Sequence, residues 1–302
     1  MKQFIWILCG VFLSGMLLGT LSSCGADQSG MASITTDQPS KESSAPEDEA
    51  ELDSVPVERK SPAGEDTVPA ALGAGAEDEA RRLAYGKALW NMYLLGILPD
   101  GTALDYLNTE AASMNNFTIA DVDGDGGEEL ILVWTNAGVA GMREIVFGYR
   151  DGTVYEKLSE FPGLDFYDNG VVEADWSHNQ GLGGRIWPYN LYLYDADSDA
   201  YEFTGAVDAW DISIRDTDYE GNPFPHDIDA DGDGLVYYLL PAGWEGQYSA
   251  AAIVDGADHE NWRNVYIDGA EKIELSFQPL TEETIAPLGS PRPQVEHPEP
   301  LG

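Results

Sequence analysis

The stretch IADVDGDGGEELIL, residues 119–132, places a dense acidic loop directly before an apolar run. Five acidic residues fall within nine residues of this loop, and four of them, Asp121, Asp123, Asp125 and Glu129, are the candidate ligands. The run EELILVW, residues 128–134, predicts a β-strand because it is short, aliphatic and preceded by glycines. From this point to the end of the aromatic-rich region, the pattern of the chain is mainly that of β-structure.

The segments around this stretch predict one helix before it and several hairpins after it. A helix is predicted over residues 78–97, where Tyr85, Leu89 and Met92 share one face. Asp151-Gly152 between two apolar runs is a type I′ hairpin signal. Further strands are predicted over 143–150, 153–158, 191–194, 201–204, 235–240, 250–254 and 273–277, and a short helix over 258–266. The expected fold is α+β, a single domain of mainly antiparallel β-sheet with an N-terminal helix.

The N-terminus carries the pattern of a secretory signal. Residues 4–21 are an uncharged, nearly unbroken apolar run after Lys2. The sequence Leu21-Ser22-Ser23-Cys24 resembles the lipobox of bacterial lipoproteins. That resemblance implies removal of residues 1–23 and lipidation of Cys24, which would place the protein outside the cytoplasm on the bacterial cell membrane. An uncleaved membrane helix is the alternative, since the run is just long enough to span a bilayer.

Composition divides the rest of the chain into three parts. Residues 24–76 hold the lipidated cysteine and a segment without Phe, Trp or Tyr, which predicts a disordered tether. Residues 77–286 contain every Tyr and every Trp except Trp6, and form the predicted domain. Residues 287–302 are rich in proline and predict a disordered tail. Removal of Cys9 with the signal peptide leaves no cysteine pair to form a disulfide.

The charge of the chain limits its partners. The formal net charge is −39, and residues 77–286 hold 41 Asp and Glu against 10 Lys and Arg. Nucleic acid and anionic membrane surfaces are excluded as partners by such a negative field, apart from the lipid anchor itself. Cations, neutral sugars and basic peptides remain compatible with it.

The acidic loop has the composition of a calcium site. Ca²⁺ takes six to eight oxygen ligands, and alternate Asp side chains on a tight loop supply several of them at once. The carbonyl of Gly127 would add a ligand, and Glu129 at position 9 would close the shell. Position 12 is Leu132, so the loop is not a standard EF-hand. The alternative is an acidic turn that binds no ion.

A second copy of the motif follows 108 residues later. Its aspartates are Asp229, Asp231 and Asp233, and Asp227 extends the alternation. Position 9 is Tyr237, so the closing ligand is lost unless Asp227 replaces it. This loop is predicted to be a metal site or, more simply, a structural turn. A third alternation that ends at Asp199 predicts a solvated hairpin loop.

The first loop resembles the D-x-D-x-D-G-x-x-E loop of the FG-GAP and VCBS-type calcium repeats, in which the loop joins two strands. The order of lipobox, tether, helix and FTIADVDGDGGEELIL, followed by Tyr-rich hairpins and NWRNVYIDG, is similar to a group of bacterial surface lipoproteins with an EF-hand-like or VCBS-like loop. The resemblance implies calcium binding at Asp121, Asp123, Asp125 and Glu129. It implies no reaction.

No catalytic motif stands out in the sequence. H-E-x-x-H, G-x-S-x-G, P-loop and Rossmann patterns are absent. The expected function is therefore a non-enzymatic binding or structural module of the cell envelope, with a carbohydrate or envelope protein as partner. The alternative is an envelope hydrolase of polysaccharide or peptidoglycan, which would need two close carboxylates in a pocket near Trp176 or Trp187. A solute receptor is a weaker third reading, because no pair of α/β lobes is predicted.

Overall fold

The computed structural model describes residues 71–294, apart from residues 179–181, 245 and 247, and describes only the backbone of residues 71–74. The helices are α1 (Ala71–Leu95), α2 (Thr109–Ala112), α3 (Gly256–Ile267) and α4 (Glu282–Ile285). The strands are β1 (Asn116–Ala120), β2 (Glu129–Trp134), β3 (Arg143–Arg150), β4 (Thr153–Glu160), β5 (Leu164–Phe166), β6 (Val171–Asp175), β7 (Tyr189–Asp195), β8 (Ala200–Asp211), β9 (Leu235–Pro241), β10 (Ala252–Val254) and β11 (Gln278–Pro279). The predicted signal peptide, Cys24 and the tether as far as residue 70 lie outside the described residues.

The strands form two antiparallel sheets. Sheet 1 has five strands in the order β11-β1-β2-β3-β4, and sheet 2 has six in the order β10-β9-β8-β7-β6-β5. Consecutive strands are neighbours almost throughout, as expected when hairpins provide the connections. At the β3–β4 turn, Asp151 and Gly152 have φ values of 51° and 83°, which fits the predicted type I′ turn. The predicted fold class is confirmed.

Helix α1 covers one face of sheet 1. Tyr85, Leu89 and Met92 are fully buried and pack against a cluster that includes Phe117 of β1 and Leu132 of β2. Full burial of an aliphatic or aromatic side chain contributes about 1.5–3 kcal/mol. Among the described residues, no helix combines the length and apolar character needed to cross a bilayer.

The other face of sheet 1 packs against sheet 2. Side chains alternate across a strand, so Ile131 points away from the face that carries Leu132. Ile131 and Val146 belong to a second buried cluster together with Phe166 and Val172 of sheet 2. Sheet 1 therefore lies between α1 and one part of sheet 2.

The two faces of strands β8 and β9 pack against different hydrophobic clusters. Ala206 and Trp210 belong to one buried cluster with Tyr238. Val207 belongs to another with Tyr237, on the face that also contacts Trp262 of α3. Adjacent residues of one strand thus lead to two separate surfaces of the protein.

The last strand was predicted wrongly. Residues 273–277 form no strand, and the chain pairs with β1 only at Gln278–Pro279. Ile273 and Leu275 are instead partly buried against the cluster between the sheets, and the N–H of Ile273 donates to the carbonyl of Phe166 at 2.8 Å. The segment therefore packs beside β5, next to an isolated bridge between Tyr167 and Lys272, without forming a strand of its own.

The chain beyond residue 286 is ordered as far as it is described. Ser290 is buried, and Trp90 of α1 donates a hydrogen bond to its carbonyl at 3.2 Å. Arg292 forms an ion pair with Glu282 of α4 and lies over the Trp90 ring. The prediction of a disordered tail from residue 287 is therefore wrong up to residue 294. Residues 295–302 lie outside the described part.

Candidate metal centres

The first acidic loop connects β1 to β2 and is folded by its own carboxylates. Ala120 pairs with Glu129 at the base of the hairpin. Asp121 accepts hydrogen bonds from the backbone N–H groups of Gly124 at 2.8 Å and Gly126 at 3.1 Å. Gly126 has a φ of 89°, a left-handed conformation that glycine adopts without strain. Aspartate and glycine at these positions therefore set the loop conformation before any ion is considered.

A buried lysine lies at the centre of this loop. The Nζ of Lys157, on β4, is 2.6 Å from a carboxylate oxygen of Asp123 and 3.0 Å from one of Glu129. It is also 2.8 Å from Asp199, which stands at the turn between β7 and β8. The Lys157 side chain is only 2% exposed. The hydroxyls of Tyr155, on β4, and Tyr194, on β7, also donate hydrogen bonds to Asp199. The Asp199 carboxylate therefore links sheet 1 to sheet 2.

The pKa shifts in this cluster follow from burial and from the ammonium group. Burial raises the pKa of Glu129 to about 7, although the positive charge of Lys157 opposes the shift. Burial also raises the pKa of Asp123. Burial lowers the pKa of Lys157, but hydrogen bonds to Asp123 and Asp199 outweigh it and raise the pKa overall. The pKa of Asp199 is lowered by its hydrogen bonds to Lys157 and the tyrosines, against the effect of burial.

Carboxylate groups in this loop could hold a metal ion. Ligand oxygens of Asp121, Asp123 and Glu129 lie within 4.8 Å of one another, and the same is true of Asp123, Asp125 and Asp199. Each group includes carboxylates that Lys157 already contacts. Of the predicted ligands, Gly127 donates its backbone N–H to Asp125 at 2.6 Å. An ion here would compete with an internal cation for the same oxygens.

The second acidic loop repeats the hydrogen bonds of the first. Asp229 accepts from the N–H of Gly234 at 3.1 Å, as Asp121 does from Gly126. Asp231 accepts from the N–H of Asp233 at 3.0 Å, and Asp233 accepts from that of Leu235 at 2.8 Å. Oxygens of Asp229, Asp231 and Asp233 lie within 4.8 Å of one another, so this group could also hold a metal ion.

The second loop differs from the first in that no lysine of the described chain lies at its centre. Among the described residues, its ion pair is with Arg185, which contacts Asp233 at 2.9 Å and also reaches Asp211. One oxygen of Asp229, Oδ1, is buried and has no hydrogen-bond partner in the part of the chain that the structure describes. A buried carboxylate oxygen without a partner is costly, and a cation beside it would remove the cost. This donor set therefore fits a metal ion better than the first loop does.

The predicted extra ligand of the second loop lies apart from it. Asp227 is exposed and is not part of the close group of carboxylates. Tyr237, at the position of Glu129, is a core residue of β9 whose ring stacks on His259 of α3 at 4.1 Å. The suggestion that Asp227 replaces the closing ligand is therefore not supported by the geometry.

Comparisons of the chain with models of protein families, with curated proteins and with solved structures find no match. The functional argument therefore depends on the geometry of this chain.

A recess beside the second loop contains Trp187, one of the two tryptophans near which a hydrolase site was predicted. It has a volume of about 670 Å³, and Trp187, which is 47% exposed, lies on its wall. Glu173 in this recess accepts two hydrogen bonds from Arg263, and Asp233 is paired with Arg185. Trp176 instead stacks on Trp244 at 5.6 Å. The two ion-paired carboxylates are held for structure and are poorly placed for acid–base work.

Sequence reasoning missed Lys157 and the role of Asp199. The usable signal was a lysine in the middle of the short strand TVYEKLSE, in a domain with very few basic residues. The pairing of that lysine with Asp199 was not visible, because it depends on how the two sheets meet.

Proposed function

We propose that the protein is an extracytoplasmic lipoprotein, anchored to the bacterial membrane through Cys24, whose domain is a non-enzymatic binding module stabilised by calcium. The lipobox and signal pattern support the anchor. The buried Oδ1 of Asp229, which has no hydrogen-bond partner among the described residues, is the single observation that supports an ion, and it favours the second loop as the place where the ion binds.

The chemistry of the second loop suits calcium among the common cations. Its donors are carboxylate oxygens, which hard cations prefer. Three side chains leave several positions for water or backbone oxygens, and Ca²⁺ accepts such irregular shells more readily than Mg²⁺ does. Extracellular calcium modules have dissociation constants of about 10⁻⁴ to 10⁻³ M. We expect the second loop to bind in this range, because Asp231 and Asp233 are exposed.

In the first loop, Lys157 takes the place that calcium has in similar loops. Its ammonium group lies between the carboxylates of Asp123, Glu129 and Asp199. A calcium ion could enter only by displacing a buried, hydrogen-bonded charge, which costs several kcal/mol. The calcium site implied by the resemblance at Asp121, Asp123, Asp125 and Glu129 is therefore proposed to be closed in this protein.

A binding role is favoured over hydrolysis. Four described carboxylates line the recess with Trp187. Asp233 and Glu173 are engaged by Arg185 and Arg263, and Asp231 belongs to the group proposed to hold calcium, which leaves Glu260 alone. A glycosidase needs one carboxyl group free to donate a proton and a second free to attack or to activate water.

Calcium-dependent stability of the mature chain tests the proposal, with Cys24→Ser to keep it soluble. At about 10 mM calcium, a site of the expected affinity raises the free energy of unfolding by about 1.4–2.7 kcal/mol relative to chelator. Asp231→Asn should abolish the rise. Asp121→Asn is the matched control in the first loop, and this variant should retain the calcium-dependent rise.

Three results would count against the proposal. A rise that survives Asp231→Asn would place the ion elsewhere. A rise that disappears in Asp121→Asn would assign it to the first loop. The absence of any rise would remove calcium from the account.

A further inference from the structure

A second cavity lies on the face of sheet 2 opposite α3, and three tyrosine rings line it. Its volume is about 600 Å³, within the range of pockets that bind small molecules. Tyr238 lies on β9, Tyr248 lies in a 3₁₀ turn, and Tyr219 belongs to a loop closed by the bridge between Thr217 and Pro223.

The three rings are inclined to one another and do not form a flat platform. The Tyr238 and Tyr248 centroids are 5.1 Å apart with the planes at 76°, and those of Tyr219 and Tyr248 are 6.5 Å apart at 42°. The Tyr248 hydroxyl is fixed by a hydrogen bond to Asp208, the partner of Tyr238 across the β8–β9 pair. Asp208 is fully buried. The Tyr248 ring is therefore held through its hydroxyl, Tyr238 is almost fully buried, and Tyr219 is the exposed third ring.

The charge of the cavity is negative. Asp218 and Glu220 line it, and none of the described lining residues is Lys, Arg or His. Asp218 is engaged by the N–H groups of Glu220 and Asn222, whereas Glu220 is exposed and forms no ion pair among the described residues. Burial is the main cause that raises the pKa of Tyr238, and the negative charges of Asp218, Asp208 and Glu220 raise it further.

We propose that this cavity binds an organic ammonium cation, with the rings of Tyr219, Tyr238 and Tyr248 around the cationic head and Glu220 at its rim. A cation is attracted to the negative face of an aromatic ring, and inclined rings can surround a quaternary ammonium group from several sides. The guanidinium of Arg215 already lies over the Tyr219 ring at 5.1 Å, and Arg215 does not line the cavity. A sugar would instead need a flat ring surface and several free hydrogen-bonding groups.

The proposal for this cavity rests on the proposed binding function and names a class of ligand for it. It does not depend on calcium. Its residues are separate from Asp229, Asp231 and Asp233 of the second loop. The two proposals therefore have separate readouts. A chain that shows the calcium effect but binds no ammonium ion contradicts only the cavity, and the reverse result contradicts only calcium.

Calorimetric titration of the mature chain with choline tests the cavity. The control ligand is 3,3-dimethyl-1-butanol, which has the same shape but no charge. Choline should bind at least about tenfold more tightly than the neutral compound, because only the charged head gains the attraction of the rings. Equal affinities would identify a merely apolar pocket, and no binding of choline at tens of millimolar would overturn the proposal.

Variants locate the bound cation. Tyr219→Ala removes one exposed ring and should weaken choline binding about tenfold, while Tyr219→Phe keeps the ring and should bind like the parent. Glu220→Gln should weaken binding severalfold and reduce its dependence on salt. Unchanged affinity in Tyr219→Ala would show that choline binds elsewhere. A thermal melt of each variant shows whether it remains folded.

Discussion

Lys157 contacts three carboxylates through one ammonium group and is almost fully removed from solvent. Two buried acids and one partly exposed acid share its charge, and these residues come from a loop of sheet 1 and a turn of sheet 2. A buried ion pair contributes little compared with apolar packing, but the loss of one member leaves the others without compensation. At the scale of single residues, this lysine therefore determines whether the first loop needs a metal.

Replacement of Lys157 should make the first loop depend on calcium. In chelator, Lys157→Met should lower the free energy of unfolding by about 3–5 kcal/mol, because Asp123 and Glu129 remain buried without a counter-charge. Calcium should restore a large part of this loss. Chemical unfolding with and without calcium measures both effects.

Lys272→Met is the matched control for this substitution. Lys272 pairs with Asp165, but both side chains are nearly half exposed. The loss of an exposed pair should cost less than about 1 kcal/mol, with or without calcium. If Lys157→Met were as mild as Lys272→Met, or if calcium did not restore its stability, the internal-cation account would be wrong.

At the scale of elements, α3 is held on sheet 2 by a buried histidine. The ring of His259 stacks on Tyr237, and its Nε2 lies 3.1 Å from the hydroxyl of Tyr189. Burial, and then the positive charge of Arg263, lower the pKa of His259 from 6.5 despite the nearby Glu173 and Glu260. The folded protein therefore favours the neutral ring.

This lowered pKa predicts a loss of stability in mild acid. The unfolded chain takes up the proton near pH 6.5, whereas the folded chain does so only at a lower pH. The contribution of His259 is thus complete above pH 6.5 and decreases as the pH falls through the folded-state pKa. Between about pH 8 and pH 5, the free energy of unfolding, measured with urea, should fall more in the parent protein than in His259→Gln. Parallel pH profiles of the two proteins would contradict the prediction.

The contact between α1 and the C-terminal segment predicts opposite effects at two glycines. A Cβ atom on Gly86 would lie 2.8 Å from the Cβ of Ser290, whereas one on Gly75 would meet nothing within 4 Å. Gly75→Ala should stabilise the protein by up to about 1 kcal/mol through helix propensity. Gly86→Ala should destabilise it by about 1–2 kcal/mol, because overpacking outweighs that gain. Thermal unfolding measures both effects. If Gly75→Ala and Gly86→Ala stabilised the protein equally, the C-terminal segment around Ser290 would not pack on α1.

Elements with strong local signals were predictable, and those that depend on distant partners were not. The Asp151-Gly152 turn and the strand after the first loop follow from their own residues. The short pairing at Gln278–Pro279 depends on β1, which is far away in the chain. In the same way, both acidic loops were visible as candidate sites, but the position of Lys157 among the carboxylates of the first loop was not.

At the scale of the whole molecule, two similar loops have different means of neutralising their acids. The first uses Lys157, and the second leaves a carboxylate oxygen of Asp229 buried without a hydrogen-bond partner among the residues described. The net charge of −39 makes every added cation stabilising to some extent, so a general salt effect must be separated from a specific site. Magnesium at equal ionic strength provides that comparison.

The number of calcium ions bound per chain tests the central claim most directly. Calorimetric titration of the mature chain should give one site, which Asp231→Asn removes and Asp121→Asn leaves intact. Two sites in the parent protein would mean that calcium displaces Lys157 from the first loop. A single site that is lost in Asp121→Asn and kept in Asp231→Asn would reverse the assignment, and the absence of any site would contradict the account as a whole.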